Sequence, residues 1–509
     1  MSYYLGIDIG TSGAKALVMD ARACVVASSV APHGISSPRP GWSEQSPGDW
    51  WASTCAAVGA AIAKAGIDGG QVAAVGLSGQ MHGLVITDSA GRPLRSAIIW
   101  NDQRSVEQAE QVEARAGGRA ALIRRVGNAA MTSFTLTKLL WVRRHQPRVY
   151  SRIRHLLMPK DYVRLCLTGD YVADVTDASG TLLLDARRRR WSAEMLSLFD
   201  IDPSILPPLM ESQEIAGRLR PVAAKALGLA AGTPVVAGAG DQPAGAVGNG
   251  IVVDGLFSAT MGTSGVVYRH SRRYRTDPTG RAQTFCSAVP GEYCLFGCVL
   301  AAGGSLQWFR NVLGGEEIRR AKSSRRDPYE LLDELAGQSP PGCEGLFFLP
   351  YLTGERTPHA DPFARACWIG IQSRTTRGEL VRSVMEGATF AMRDALGVLA
   401  GGGKRPSRIR ISGGGARSSL WRQLQADIYG TTCVTINAEE GPAYGAALLA
   451  AVGTGRFADV QEACRAGIRV TRTIRPSAAL RRRYADLYAQ YRRLYPALKT
   501  EFARIAGLA

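Results

Sequence analysis

At 509 residues, with 46% hydrophobic and 20% charged residues, the chain is long enough to bury a large core and has an ordinary globular composition. A net charge of +18 raises nucleic acid or anionic membrane as partners, but the excess is dispersed arginine: only 8 of 61 basic residues are lysine, and no aromatic-interleaved basic stripe accompanies them. The 10 cysteines form no CxxC pair, and Cys294 and Cys298 have no second Cys/His pair to complete a zinc site. No run reaches the ~20 apolar residues of a spanning helix, and Asp8 interrupts the apolar start where a signal peptide would run. The expectation is a cytoplasmic protein with free thiols, binding neither nucleic acid nor membrane.

In chain order, Tyr3, Leu5, Ile7 and Ile9 alternate as one face of a strand, and Gly10 to Gly13 make a tight turn. Ala14 to Asp20 and Cys24 to Val30 continue an antiparallel meander that opens an α/β domain. Helices are predicted over Asp49 to Ala65 and Leu136 to Arg144. Further strands are predicted at Val72 to Leu77, Leu84 to Thr87, Ile98 to Trp100 and Pro234 to Gly238. A second strand-turn-strand is predicted at Leu256 to Tyr268. Its SATMGTSGVV (258–267) echoes GIDIGTSGAK (6–15), so two related lobes facing a shared ligand are expected. The boundary falls near residue 250, giving lobes 1–249 and 250–509. The second contains a long helix from Glu379 to Leu399, then a strand, Arg408 to Ser412, and a helix, Ser418 to Tyr429. Arg272 to Arg281 and Arg319 to Pro328 read as surface loops.

The chemistry sits at the turns. In Gly10-Thr11-Ser12-Gly13 the glycines let backbone N–H groups line a concavity, and the hydroxyls add donors, a nest suited to phosphate oxygens. Asp8, two residues upstream, is costly beside phosphate unless a cation intervenes, so it reads as a Mg²⁺ ligand. Gly262-Thr263-Ser264 repeats the clamp, and Gly413-Gly414-Gly415 can let a nucleoside approach the backbone. Asp241 follows a small, apolar strand, a costly place for an acid unless it faces a functional cavity. It fits a base that accepts a hydroxyl proton during phosphoryl transfer, and a helix cap before Pro243 is the competing local reading. Gln80-Met81-His82-Gly83 and Trp100-Asn101-Asp102 are loops with polar groups suited to a polyol. Glu386 reads as a packing residue.

Taken together the chain resembles the FGGY carbohydrate kinases, within the actin-like and hexokinase-like ATPase superfamily. The likeness runs through GIDIGTSGAK (6–15), GWSEQ (41–45), GQMHG (79–83), IIWND (98–102), SFTLTKLLWVRRH (133–145), MPKDYVRL (158–165) and GDQPAGAVGNG (240–250). It continues in MGTSG (261–265), LPYLTGERTPH (349–359), ISGGGARSSLWRQLQADIYG (411–430) and GPAYGAALLA (441–450). The resemblance implies two actin-like, ribonuclease H-like α/β lobes with a nucleotide and sugar cleft between them. It implies ATP and Mg²⁺ as cofactors and D-xylulose, converted to D-xylulose 5-phosphate, as the small-molecule ketose. D-Ribulose or an arabitol-like polyol is the alternative substrate, and a non-catalytic sugar-responsive regulator is the reading from another class. By resemblance Asp241 is the catalytic base and Asp8 the acid handling metal and phosphate. Met81 and His82 line the ketose site, while Gly262, Thr263 and Gly413 to Ala416 contact nucleotide. Gln242 stands where some relatives have Asn, and either amide can bond a sugar hydroxyl. Ala366-Cys367-Trp368 departs from the expected Gly-aromatic stretch and leaves the local packing open. A homodimer is also implied.

Overall fold

The computed structural model describes residues 2–403, 406–438 and 440–508. Seven strands build the first sheet: β1 (Tyr3–Ile9), β2 (Gly13–Asp20), β3 (Val25–Pro32), β4 (Val72–Gly79), β5 (Ile215–Arg218), β6 (Pro234–Val236) and β7 (Ala239–Gly240). Their order is β5-β6-β4-β1-β2-β3, and β7 also pairs with β4. β1, β2 and β3 form the antiparallel meander expected from the alternation, and β4 runs parallel to β1.

The second sheet repeats this plan with β8 (Phe257–Met261), β9 (Gly265–Ser271), β10 (Gln283–Cys286), β11 (Tyr293–Val299), β12 (Arg408–Gly413), β13 (Thr432–Ile436) and β14 (Val470–Ile474). Its order is β10-β11-β9-β8-β12-β13-β14. β8 pairs antiparallel with β9 and parallel with β12, as β1 does with β2 and β4. The repeated GTSG sequence is therefore the mark of a repeated topology: a short hairpin turn between the first two strands of each sheet.

The chain divides into two compact units. One gathers Met1–Asp254, His270–Cys294 and Glu440–Arg469; the other gathers Gly255–Arg269, Leu295–Glu439 and Val470–Ala509. In the first unit, Leu5, Ile7 and Ile9 of β1 pack into a buried cluster with Trp50, Ala57 and Val58 of the Pro47–Ala65 helix. Strand alternation puts Gly6 on the other face, where the Gly441–Gly453 helix packs. A Cβ on Gly6 would stand 1.9 Å from the Ala443 carbonyl oxygen, so only glycine admits the helix this close. The same helix meets the Asp241–Gly248 helix through Gly445, whose Cβ would stand 1.9 Å from the Ala244 oxygen.

In the second unit, the Arg377–Ala400 helix begins with a capping box between Thr376 and Glu379 and ends at Gly401 in the left-handed conformation. Glu386 on this helix is a packing residue, as expected: it is buried against Arg382 (2.9 Å) and the Tyr484 hydroxyl (2.7 Å). Cys367–Ile369 pairs with Phe347–Leu349, and Trp368 fills an aromatic cluster with Trp308 and Phe348 while donating to Ser383. That resolves the packing of the 366–368 departure.

One loop expectation needs correcting. Gly315–Ser324 is a helix, with Glu316 and Glu317 in its first turn and Arg325 left-handed at its end. Only the short stretch before the Pro328–Gly337 helix remains loop. The 272–281 stretch is irregular, and the Asp277 carboxylate holds it by accepting from the Thr279 hydroxyl and the Arg281 amide. No helix among the described residues is long and apolar enough to cross a membrane.

Candidate active site

The strand register aligns the first acid with its surroundings. Asp8 pairs across the sheet with Lys15 on β2 and Ser78 on β4, and Ser78 pairs with Ala239 on β7. Asp8 and the approach to Asp241 thus lie along one row at the carboxyl ends of parallel strands, where open α/β sheets place ligands. Burial pushes the Asp8 carboxyl up to about 6, with Ser78 and Lys15 opposing the shift. Its Oδ1 is buried without a hydrogen-bond partner.

Asp241 is the first residue of the Asp241–Gly248 helix. The cap position falls on Gly240, so Asp241 stands in the first turn of the helix rather than at its cap. Burial pushes the Asp241 carboxyl up to about 7; the charge of Asp8 adds to the rise, and hydrogen bonds from Gln242 oppose it. Two acids that raise one another's cost of ionisation, one with an orphaned oxygen, form a donor set that a divalent cation would relieve.

The backbone before Asp241 turns sharply. Gly238 has φ +79°, and a Cβ there would lie 2.2 Å from the Leu77 carbonyl oxygen. Met81 packs on Gly240, where a Cβ would stand 2.7 Å from its Cγ. The structure therefore brings Met81 beside Gly240, the residue before Asp241.

His82 occupies the left-handed region, φ +69°, which is uncommon for a side-chain-bearing residue and must be held by its neighbours. Its Nδ1 lies 3.2 Å from the Gly180 oxygen, and Phe134 and Phe285 meet its ring edge-on at 4.9 and 5.7 Å between centroids. Its carbonyl accepts from Lys138 Nζ at 2.8 Å and from the Thr135 hydroxyl at 3.1 Å. Lys138 is fully buried, and desolvation lowers its ammonium to about 7.

Three segments read separately in the sequence meet at the first turn. The Gln45 amide donates to the Thr11 carbonyl at 2.7 Å and accepts from Gln80 at 2.7 Å and from Trp50 at 3.1 Å. The Trp100 indole donates to the Thr11 hydroxyl at 3.0 Å. Ser12 stays exposed, and Gly10 closes the turn by donating to the Gly13 oxygen.

Asn101 and Asp102 part company. Asn101 Oδ1 is buried without a partner, an acceptor left open for a ligand. Asp102, expected to bind sugar, has both oxygens engaged: it accepts from the Ser43 amide at 2.6 Å and from the Arg104 guanidinium at 2.7 and 2.9 Å. Arg104 in turn lies 3.7 Å from the Trp42 ring centroid and pairs with Glu44 at 2.6 Å. Asp102 belongs to this buried ion network, with no oxygen to spare for a hydroxyl.

In the second unit, Gly262 and Thr263 are exposed at the end of β8. The start of the Gly303–Leu313 helix backs them: the Gly303 amide donates to the Gly262 oxygen at 2.8 Å, and Ala302 and Gly304 donate to the Thr263 oxygen. Ser264 accepts nothing from that helix, but its carbonyl closes the turn by accepting from the Gly262 amide at 2.9 Å. Gly413 ends the neighbouring strand β12 with φ +81°, and a Cβ there would stand 2.4 Å from the Met261 oxygen. Gly414 is exposed beside it, the Gly415 carbonyl accepts from Gln425, and the Ala416 carbonyl accepts from Arg422. The two expected nucleotide segments are therefore neighbours on paired strands.

Sequence reasoning missed a buried ionic cluster tied through Thr176 to Gly240, the residue before Asp241. Lys160 Nζ lies 2.6 Å from Asp161, 2.5 Å from Asp174 and 3.3 Å from Asp177, and Arg164 lies 2.9 Å from Asp161. All five side chains are fully buried. The three carboxylates are spaced to hold a metal ion, but the Lys160 ammonium already supplies the cation there. The signal in the sequence was six charges within the 18 positions from Lys160 to Asp177, five of which form the cluster.

A family model described as the FGGY family of carbohydrate kinases, N-terminal domain, matches residues 3–248, and its C-terminal counterpart matches 257–454. Xylulose kinase of Escherichia coli is 39% identical over 88% of this chain and 90% of its own length. Xylulose kinase of Bacillus subtilis is 35% identical over 97% of each chain. The crystal structure of xylulose kinase from Rhodospirillum rubrum superposes with a TM-score of 0.90 at 31% identity, covering 98% of this chain and all of that one.

Proposed function

This chain belongs to the FGGY family of carbohydrate kinases, and from that premise we propose that it phosphorylates D-xylulose with ATP, using Asp241 as the base. The ketose 5-hydroxyl oxygen attacks the γ-phosphorus in line, the bond from that phosphorus to the β,γ-bridging oxygen breaks, and ADP leaves. The hydroxyl proton passes to the Asp241 carboxylate, and D-xylulose 5-phosphate is formed. Such transfers need mainly alignment and charge neutralisation, with a positioned carboxylate to take the proton.

The observation that carries this reading is the Asp241 carboxyl at a strand–helix junction, held near pH 7 by burial and by Asp8. A base is most useful when its pKa lies near the working pH. Met81, His82 and the open Asn101 oxygen would orient the sugar. Ser12, Thr11, Gly10, Gly262, Thr263 and Ser264 would meet phosphates, and Gly413 to Ala416 the nucleoside. Asp8 would hold Mg²⁺ directly or through water, and that ion would supply neutralising charge at the phosphates. Family likeness also supports a cytoplasmic homodimer, and sedimentation at micromolar protein tests the dimer.

The deciding experiment is a coupled ADP-release assay with Mg-ATP across ketoses, aldoses and polyols, run beside Asp241→Asn. An Asp241-dependent response to D-xylulose is expected. A stronger response to D-ribulose or a polyol overturns the substrate, and silence from folded protein overturns the kinase reading.

A further inference from the structure

Burying five charges needs a reason, because a buried ion cluster seldom adds net stability over apolar side chains of the same volume. Here the reason lies in what the cluster touches outside itself. Arg164 donates to the Ala237 carbonyl at 2.7 Å and also to the carbonyl of Val172. Asp174 accepts from the Thr176 amide at 2.8 Å and from the Thr176 hydroxyl. That hydroxyl in turn accepts from the Gly240 amide at 3.0 Å. Ala237 and Gly240 bracket the Gly238 turn, and Asp241 is the next residue. Both ends of the turn that aims the base are therefore tied to the cluster.

The same short segment reaches the sugar loop. Gly180 accepts at 3.2 Å from the His82 ring, and the neighbouring Ser179 hydroxyl accepts from Cys286 at 3.0 Å. Residues 174–181 thus touch the base on one side and the sugar-loop histidine on the other. Burial and the adjoining Asp161 and Asp174 carboxylates push Asp177 well above the usual carboxylate range, against the pull of Lys160. A cluster paired this closely is rigid, since moving any member leaves a buried charge unpaired.

We propose that Lys160, Asp174 and Thr176 form a positioning relay for phosphoryl transfer, in which the Thr176 hydroxyl holds the Gly240 amide and so fixes where the Asp241 carboxylate meets the sugar hydroxyl. The proposal rests on Asp241 being the base. None of the three touches substrate; each acts through Gly240.

The test is steady-state kinetics of Thr176→Val and Thr176→Ser with Mg-ATP and D-xylulose, with a urea unfolding midpoint for each. Valine keeps the shape and removes the acceptor, and serine restores it. Displacement of a catalytic group by about 1 Å can cost about 10²-fold in rate. Thr176→Val is expected to lower kcat about 10- to 100-fold with the KM for ATP within about twofold, and Thr176→Ser to recover kcat to within about threefold of the parent. A Thr176→Val protein with parental kcat, or a Thr176→Ser protein as slow as the valine variant, overturns the relay. If Thr176→Val does not fold, Asp174→Asn carries the same test: a parental kcat overturns the relay and a tenfold loss at unchanged KM for ATP supports it. Failure of the underlying reading is distinct, because Asp241→Asn would then keep near-parental turnover.

Discussion

Asp241→Asn should stabilise this protein while it disables it. The folded environment raises the carboxyl from 3.8 to about 7, chiefly by burial and next by repulsion from Asp8. A shift of roughly three pH units corresponds to about 4 kcal/mol as an upper bound. The residue is only part-buried, so water screens the charge, and a realistic figure is about 1–3 kcal/mol. Because the folded pKa is the higher one, the folded state binds more protons between pH 4 and pH 7. Stability from this group is therefore full below pH 4 and is lost as the pH rises through about 7. Asparagine mimics the neutral acid and escapes that loss. Urea unfolding in metal-free buffer should show the variant ahead by about 1–3 kcal/mol at pH 8 and by little at pH 4.5. Added Mg²⁺ should close part of the gap at pH 8 by stabilising the parent, since a cation offsets the Asp8–Asp241 repulsion. Turnover should fall at least about 10²-fold. Equal midpoints at pH 8 would refute the claim that the site strains this carboxylate, and parental turnover would refute its role as base.

Gly445→Ala forces a methyl group to within 1.9 Å of the Ala244 oxygen and must part the Gly441–Gly453 and Asp241–Gly248 helices. A loss of about 1–3 kcal/mol in urea with a lowered kcat is expected, and an unchanged midpoint would contradict the close approach. His82→Ala removes a ring beside Phe134 and Phe285 at the sugar loop and should mainly raise the ketose KM; a change confined to ATP affinity would put the loop elsewhere. Arg382→Met leaves Glu386 buried with the Tyr484 hydroxyl, the Gly342 amide and the Cys343 thiol but no cation, which should cost about 3–5 kcal/mol in chemical denaturation. Adding Glu386→Gln should recover at least about 1 kcal/mol of it, and no recovery would mean that the Arg382 effect is one of packing.

Sequence alone determined whatever short-range periodicity and backbone chemistry encode. Alternation at Tyr3, Leu5, Ile7 and Ile9 specified β1, and two GTSG turns disclosed the repeated topology before any pairing was known. Asp8 was legible as a candidate because an acid beside a phosphate-suited turn calls for a cation, and Asp241 because an acid after an apolar strand is costly without a use. The long helix was legible from its apolar spacing as Glu379 to Leu399, while the Thr376–Glu379 capping box and Gly401 that set its ends emerged only from the structure.

Tertiary structure decided which polar groups are already engaged. Asn101 and Asp102 are adjacent in one motif, yet only Asn101 keeps an open oxygen, because Ser43, 59 residues away, and Arg104 claim Asp102. Gln45, Gln80 and Trp100 were three unrelated positions until folding joined them at Thr11. The Lys160 cluster and its tie to Gly240 join Thr176 to a residue 64 positions on. The physical reason is one of range: local patterns repeat every two to four residues, whereas a buried hydrogen bond pairs groups that only the completed packing brings within 3 Å.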